Sequence, residues 1–222
     1  MKDTISIEQK YEDTKYKKGY KSFYQLFFKR LIDLFFCIIA IPLLSPIMLI
    51  CAILVKVGDG GPIFYKSNRI GKNFKEFKML KFRSMKVNAP DIRNEDGGTY
   101  NAKDDPRVTK IGKFLRETSL DELPQLFNIF VGQMSLIGPR AGDVESKDTY
   151  LNDEKDKLLV KPGLTGYTQA YYRNGADVRT KRLYDAWYAH NVSFILDIQV
   201  FFKTLVTVLK RKNIYNDDST KL

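Results

Sequence analysis

The apolar side chains divide the chain into one long uncharged stretch, several short amphipathic ones and polar connectors. From Leu34 to Val55 there is no charged side chain, a run long enough to cross a bilayer. Pro42 and the pair Ser45-Pro46 lie near its middle. Each proline removes a backbone donor and crowds the preceding turn, so a kink or hairpin-like break is expected at Ser45 and Pro46. Lys29 and Arg30 precede the run, and Lys56, Lys66, Arg69 and Lys72 follow it. The positive-inside rule then places both ends on the cytoplasmic side. Two arrangements fit these residues: a helix that enters, bends and leaves on the same face, and a kinked spanning helix.

The remaining periodicities are shorter. Ile63-Phe64-Tyr65 and Phe74 to Leu80 read as strands of a β-hairpin around Arg69 to Asn73. Lys81 and Arg83 flank Phe82, an alternation that puts both cations on one strand face or on a solvated edge. Val87 to Asp105 is polar, holds Pro90 and Gly97-Gly98, and reads as a loop whose length points to mobility near a site. Val108, Ile111, Phe114 and Leu115 mark one helix face, and Leu123, Leu126, Phe127 and Phe130 mark another that ends at Gly132. The start of this second helix has two readings. Ser119 with Glu122 makes a capping-box pattern, whereas Pro124 is best suited to the first turn of a helix beginning near Asp121. Leu183, Trp187 and Tyr188 predict a helix beyond Asp177, and Phe194 to Leu209 predicts a strongly apolar one with Lys203 and Lys210 to Lys212 beside it. The fold class is therefore α+β and mainly helical. It divides into a polar tail (1–22), a membrane-embedded helix (23–57), a globular domain with the hairpin (58–212) and a flexible tail (213–222).

Charge adds a partner class. The 222 residues carry 37 Lys and Arg against 26 Asp and Glu, a formal net charge of +11, which calls for an anionic partner such as nucleic acid, anionic lipid or a nucleotide-linked substrate. No helix-turn-helix, RNP-type or zinc-finger spacing is present, which argues against nucleic acid. Cys37 and Cys51 both fall in the apolar run, and His190 is the only histidine, so neither a disulfide framework nor a zinc site is indicated. Met1 to Ser22 has no apolar core and no cleavage-site pattern, and reads as a mobile cytosolic tail rather than a secretory signal.

The candidate chemistry lies in Thr118-Ser119-Leu120-Asp121-Glu122-Leu123-Pro124-Gln125-Leu126. Adjacent acids in a first turn often do no more than cap a helix. Here the pair stands between Asp105-Pro106-Arg107-Val108-Thr109-Lys110-Ile111-Gly112-Lys113-Phe114-Leu115-Arg116 and Met134-Ser135-Leu136-Ile137-Gly138-Pro139-Arg140. This ordered block resembles the bacterial sugar transferase family, the monotopic polyprenyl-phosphate phosphoglycosyl transferases. The resemblance extends through Leu80 to Met85, Lys161-Pro162-Gly163-Leu164-Thr165-Gly166 and Arg173-Asn174, from about Phe27 to Lys212.

The resemblance implies a re-entrant helix broken at Ser45 and Pro46, and a catalytic domain on the cytosolic face of the bacterial inner membrane with amphipathic interfacial helices, Phe194 to Leu209 among them. The implied reaction moves a sugar 1-phosphate from a UDP-sugar to polyprenyl (undecaprenyl) phosphate and releases UMP. Asp121 would be the nucleophile and Glu122 its partner, both near Mg²⁺. Lys81, Arg83, Arg116, Arg140 and Arg173 would bind substrate, with membrane lipid as a further partner and homodimerisation left open. Two departures stand out. Pro139-Arg140 is followed by Ala141 where the family has a second proline, and Gly166 to Arg173 differs from the usual run, which bears on sugar preference. The alternatives are a membrane-anchored glycosyltransferase that releases UDP and an inactive scaffold of the same fold.

Overall fold

The computed structural model describes residues 23–93, 100–173 and 175–210. The two tails, Gly97-Gly98 and Asn174 lie outside the described residues. The uncharged run forms α1 (Lys29–Asp59), preceded by a π-helical turn over Tyr24–Phe28. Helical conformation continues through both prolines instead of stopping at Ser45. Pro46 lacks the N–H that would reach the Pro42 carbonyl, and the Ser45 hydroxyl donates to that carbonyl at 2.8 Å in its place. The helix ends at Gly60, whose φ of 72° is a left-handed conformation that glycine adopts without strain.

Both ends of α1 are fastened to the same folded body. Near its start, Lys29 pairs with Asp197, Arg30 donates to the Ile129 carbonyl at 2.6 Å, and Asp33 accepts from Ser135 Oγ at 3.1 Å and Leu136 N at 2.9 Å. At its end Asp59 pairs with Arg83. Between them, Cys37 and Ala40 pack with Met79, Leu126, Ile129 and Met134, while Met48, Cys51 and Val55 pack with Phe82 and Leu115. The other face stays bare: Leu31, Phe35, Ile38, Ile39, Leu43, Leu49, Ile50 and Ile53 are exposed.

The hairpin is present, with β1 (Phe64–Ile70) antiparallel to β2 (Glu76–Phe82) in a register from Phe64 opposite Phe82 to Ile70 opposite Glu76. Arg69 and Ile70, read from sequence as turn, belong to the strand. The reversal is made by Gly71 to Lys75, with Asn73 and Phe74 at positive φ. Next come α2 (Lys110–Thr118), capped by the Thr109 hydroxyl on Gly112 N at 2.9 Å, a 3₁₀ turn over Leu120–Glu122, and α3 (Gln125–Phe130). β3 (Ser135–Ile137) runs parallel to β5 (Gly163–Thr165), and β4 (Gly142–Asp143) extends the hairpin beside β1. Two glycine motifs meet here backbone to backbone. A Cβ at Gly163 would stand 2.1 Å from Gly138 N, and one at Gly166 1.9 Å from Gly138 O.

α4 (Tyr167–Tyr171), α5 (Val178–His190) and α6 (Phe194–Leu209) complete the body. α6 sets Val200 into the core, with Leu196 and Phe201 packed against the same cluster. Its inward side carries polar groups that find partners: Asp197 accepts from Tyr24 at 2.7 Å and Tyr188 at 2.5 Å, Thr204 meets Thr165 at 2.8 Å, and Thr207 donates to the Ala170 carbonyl at 2.8 Å. Its outward side exposes Phe194, Ile195, Ile198, Phe202, Leu205 and Leu209. Burying polar groups while showing apolar ones to the surroundings suits a hydrocarbon environment and costs free energy in water. The described parts of the long loop before α2 are anchored: Arg107 pairs with buried Asp105 and donates to the Pro90 and Tyr100 carbonyls at 2.9 and 3.3 Å.

Candidate active site

Asp121 and Glu122 do not open an α-helix. They sit in the 3₁₀ turn between α2 and α3, and Ser119 makes no side-chain cap. Ser119 instead closes α2 in a left-handed conformation, φ 59°, so the capping-box pattern gives way to a chain reversal that turns Asp121 inward. A left-handed serine costs on the order of 1 kcal/mol or more. Arg173 is also left-handed, at φ 49°, and its guanidinium approaches Ser119 Oγ at 3.5 Å. Two strained residues thus meet beside the acid pair.

Asp121 is buried, 8% exposed. Glu122 accepts from Lys81 Nζ at 2.8 Å. Burial pushes the Asp121 carboxyl up to about 6, against the pull of Lys81 and with the push of Glu122; Arg116 and Arg140 pull the other way. Burial works against ionisation of Glu122 as well, but Lys81, Arg140 and Arg173 outweigh it and hold that carboxyl below its usual value. The two neighbours are therefore driven apart, Glu122 kept charged and Asp121 raised toward neutrality, where an added cation would favour its ionised form.

Four of the five expected cations act on this pair: Lys81, Arg116, Arg140 and Arg173. Lys81 comes from β2, held against α3 by Asn128, which accepts from Leu80 N and donates to the Lys78 carbonyl, both at 2.9 Å. Arg116 comes from the last turn of α2, with its Nε on Ser84 Oγ at 2.9 Å. Arg140 follows the tight Gly138-Pro139 turn with its side chain exposed, and no hydrogen bond or ion pair of its guanidinium occurs among the described residues. Arg83 goes elsewhere. It lies one residue past β2, buried, pairing with Asp59 and donating to the Pro62 and Met85 carbonyls at 2.7 and 3.1 Å. A strand end does not preserve alternation, so Arg83 clasps the end of α1 instead of joining Lys81.

Sequence reasoning passed over two positioning residues. Asp185 on α5 is 2% exposed and accepts from Arg140 N at 3.1 Å and Thr168 Oγ1 at 2.8 Å, and it pairs with buried Lys157 at 3.0 Å. It fixes the backbone from which Arg140 projects. The available signal was an acid among Leu183, Ala186 and Ala189, all buried in α5. Asn128, a polar residue between Leu126 and Ile129, gave the same kind of sign.

The arrangement is suited to a dianionic or diphosphate group: a buried carboxylate flanked by several cations, one of them a forked donor whose guanidinium has no hydrogen bond or ion pair among the described residues. Comparison with known proteins agrees. The chain is 42% identical over 84% of its length to an uncharacterized sugar transferase of Haemophilus influenzae, covering 42% of that protein. It is 39% identical over 85% of its length to the undecaprenyl-phosphate galactose phosphotransferase of Salmonella typhimurium, again covering 42%. It is 40% identical over 84% of its length to the exopolysaccharide production protein ExoY of Sinorhizobium fredii, covering 88%. The chain thus spans less than half the length of the first two relatives and most of the third. The profile of the bacterial sugar transferase family matches residues 24–211, and the chain belongs to that family.

Proposed function

We propose that the chain is a membrane-bound phosphoglycosyl transferase that moves a sugar 1-phosphate from a UDP-sugar to polyprenyl phosphate and releases UMP. The observation that carries this reading is the buried Asp121 carboxyl, held beside an ionised Glu122–Lys81 pair and ringed by Arg116, Arg140 and Arg173. In the first step an Asp121 carboxylate oxygen bonds to the β-phosphorus of the UDP-sugar. The bond from that phosphorus to the bridging oxygen breaks, and UMP leaves with the electron pair. Arg140 and Arg173 bind the diphosphate oxygens, and Arg116 steadies the charge near Asp121. In the second step a phosphate oxygen of the polyprenyl phosphate bonds to the same phosphorus, the acyl phosphate bond breaks, and the Asp121 carboxylate is restored. The two halves give ping-pong kinetics.

The donor set fits Mg²⁺. Mg²⁺ characteristically takes one or two carboxylates and completes its shell with phosphate and water, and Asp121 and Glu122 are two adjacent carboxylates in one turn. Asp121 and Glu122 would hold it, and once bound it would neutralise charge on the diphosphate.

The bare faces of α1 and α6 support a membrane location. Fastening both ends of α1 to one body supports its entering and leaving on the same side, the cytosolic face of the bacterial inner membrane. An inactive scaffold has no use for a buried carboxyl flanked by four cations. The experiment is nucleotide release from a panel of UDP-sugars, beginning with UDP-galactose and UDP-N-acetylgalactosamine after the names of two relatives, with undecaprenyl phosphate as acceptor. UMP supports this reading. UDP would mark a glycosyltransferase, and neither product with any sugar would mark a scaffold.

A further inference from the structure

A second group of cations lies away from the acid pair, where α1 meets the end of α3. A methyl group at Gly132 would stand 3.3 Å from Arg30 Nη2 and 3.5 Å from Lys161 Nζ, so both cations border one small spot on the surface. Arg30 uses two N–H groups on the Ile129 and Phe130 carbonyls, at 2.6 and 2.8 Å, and a guanidinium has five. Lys161 makes no hydrogen bond or ion pair among the described residues. Asp33 is the acid that acts on Lys161, and its Oδ1 is taken up by Ser135 and Leu136. Burial, together with the positive charges of Arg30 and Lys72, holds the Lys161 ammonium below its usual range in spite of Asp33. Lys161 is thus a half-buried ammonium beside a second cation, with no ion pair of its own among the described residues.

Phe130 and Val131, which precede Gly132 in the chain, and Phe27 and Leu31, on either side of Arg30, are exposed. Leu31 belongs to the bare face of α1 described above, and the other three extend exposed apolar surface beside it, so the cations stand at headgroup depth if that face meets acyl chains. The dominant charges at Asp121 and Glu122 are Lys81, Arg116, Arg140 and Arg173, not Arg30 or Lys161.

We propose that Arg30 and Lys161 form a binding site for the phosphate of an anionic phospholipid of the surrounding bilayer, distinct from the acceptor site at Asp121. The proposal rests on the membrane reading of the apolar faces. Its ligand is a phosphodiester headgroup with chains lying along Phe130 and Val131, which fixes how deeply the body sits.

Native mass spectrometry of the full chain from mixed micelles tests it, with phosphatidylglycerol, phosphatidylcholine or undecaprenyl phosphate added in turn. The wild type should retain phosphatidylglycerol in preference to phosphatidylcholine. Lys161→Gln should lower that occupancy about fivefold, the loss of one cation near a headgroup, and Lys161→Arg should keep it. Equal retention of the two phospholipids by the wild type would overturn the proposal without recourse to any variant. So would unchanged retention by Lys161→Gln, or displacement of phosphatidylglycerol by equimolar undecaprenyl phosphate, which would make the spot part of the acceptor site. Carbonate extraction of membranes tests the underlying membrane reading separately. A chain that washes off refutes that reading whatever lipid it retains in micelles.

Discussion

Replacing Asp121 by Asn should make the protein more stable at neutral pH while abolishing turnover. In the folded chain the carboxyl is raised from 3.8 to about 6 by burial. The unfolded chain therefore ionises first, and the folded state carries the cost of the charge. That cost is fully present above about pH 6 and absent below about pH 4. Roughly two units at 1.36 kcal/mol each set a ceiling of about 3 kcal/mol. The Asn amide must also find partners in the same site, and one unmet hydrogen bond removes about 1 kcal/mol or more of the gain. The net expectation is on the order of 1–2 kcal/mol, or a melting temperature higher by about 2–8 °C for a body of this size. Thermal unfolding of both proteins in the same micelles at about pH 7.5 and about pH 4 reads the effect. Carboxylates away from the site titrate alike in both, so the difference reads Asp121 together with its coupled neighbour Glu122. A variant no more stable than wild type at neutral pH, or a gap that fails to close in acid, would refute the reasoning.

Arg140→Ala should leave the melting temperature unchanged, since its side chain has no hydrogen bond or ion pair among the described residues, and should lower kcat/KM by about 10- to 100-fold, the worth of one charge-assisted contact. Unchanged kinetics would remove Arg140 from the site. Asp185→Asn breaks the buried pair with Lys157 and loosens the acceptor of Arg140 N; an unpaired buried lysine costs about 3–5 kcal/mol, read as lower stability in denaturant together with lower kcat, and wild-type stability would contradict it. Cysteines introduced on either side of α1 should be labelled from the same face of sealed vesicles, whereas labelling from opposite faces would establish a spanning helix.

What the sequence made legible was mostly local. The hairpin, α2, α5 and the limits of α6 follow from spacing and end signals carried by neighbouring residues, such as Asp177 accepting from Thr180 N at 2.8 Å at the start of α5. The acid pair was legible through its motif, but its geometry was not. The Ser119–Glu122 spacing is the same whether serine caps a helix or reverses the chain, and only the packing of Leu120 and Leu123 with Leu115 and Phe82 decides for reversal. Arg83 was misleading for a related reason, because the Asp59 that takes it lies 24 positions away. Asp185 and Asn128 work through contacts 45 and 48 positions distant. The apolar stripe of α6 reads identically for a core and for a bilayer. The fold shows one side of α6 packed into the core through Val200 and the other exposed at Phe194, Ile195, Ile198, Phe202, Leu205 and Leu209, a division set by contacts that exist only in the fold.

The central claim is that the phosphosugar passes through Asp121. Intact-protein mass spectrometry after mixing with UDP-sugar and Mg²⁺, in the absence of polyprenyl phosphate, tests it most directly. The wild type should gain the mass of one sugar phosphate with stoichiometric UMP, Asp121→Asn should gain nothing, and added polyprenyl phosphate should discharge the adduct. UMP that appears only when the lipid is present, with no adduct at any time, would contradict the account and establish direct transfer between the two substrates.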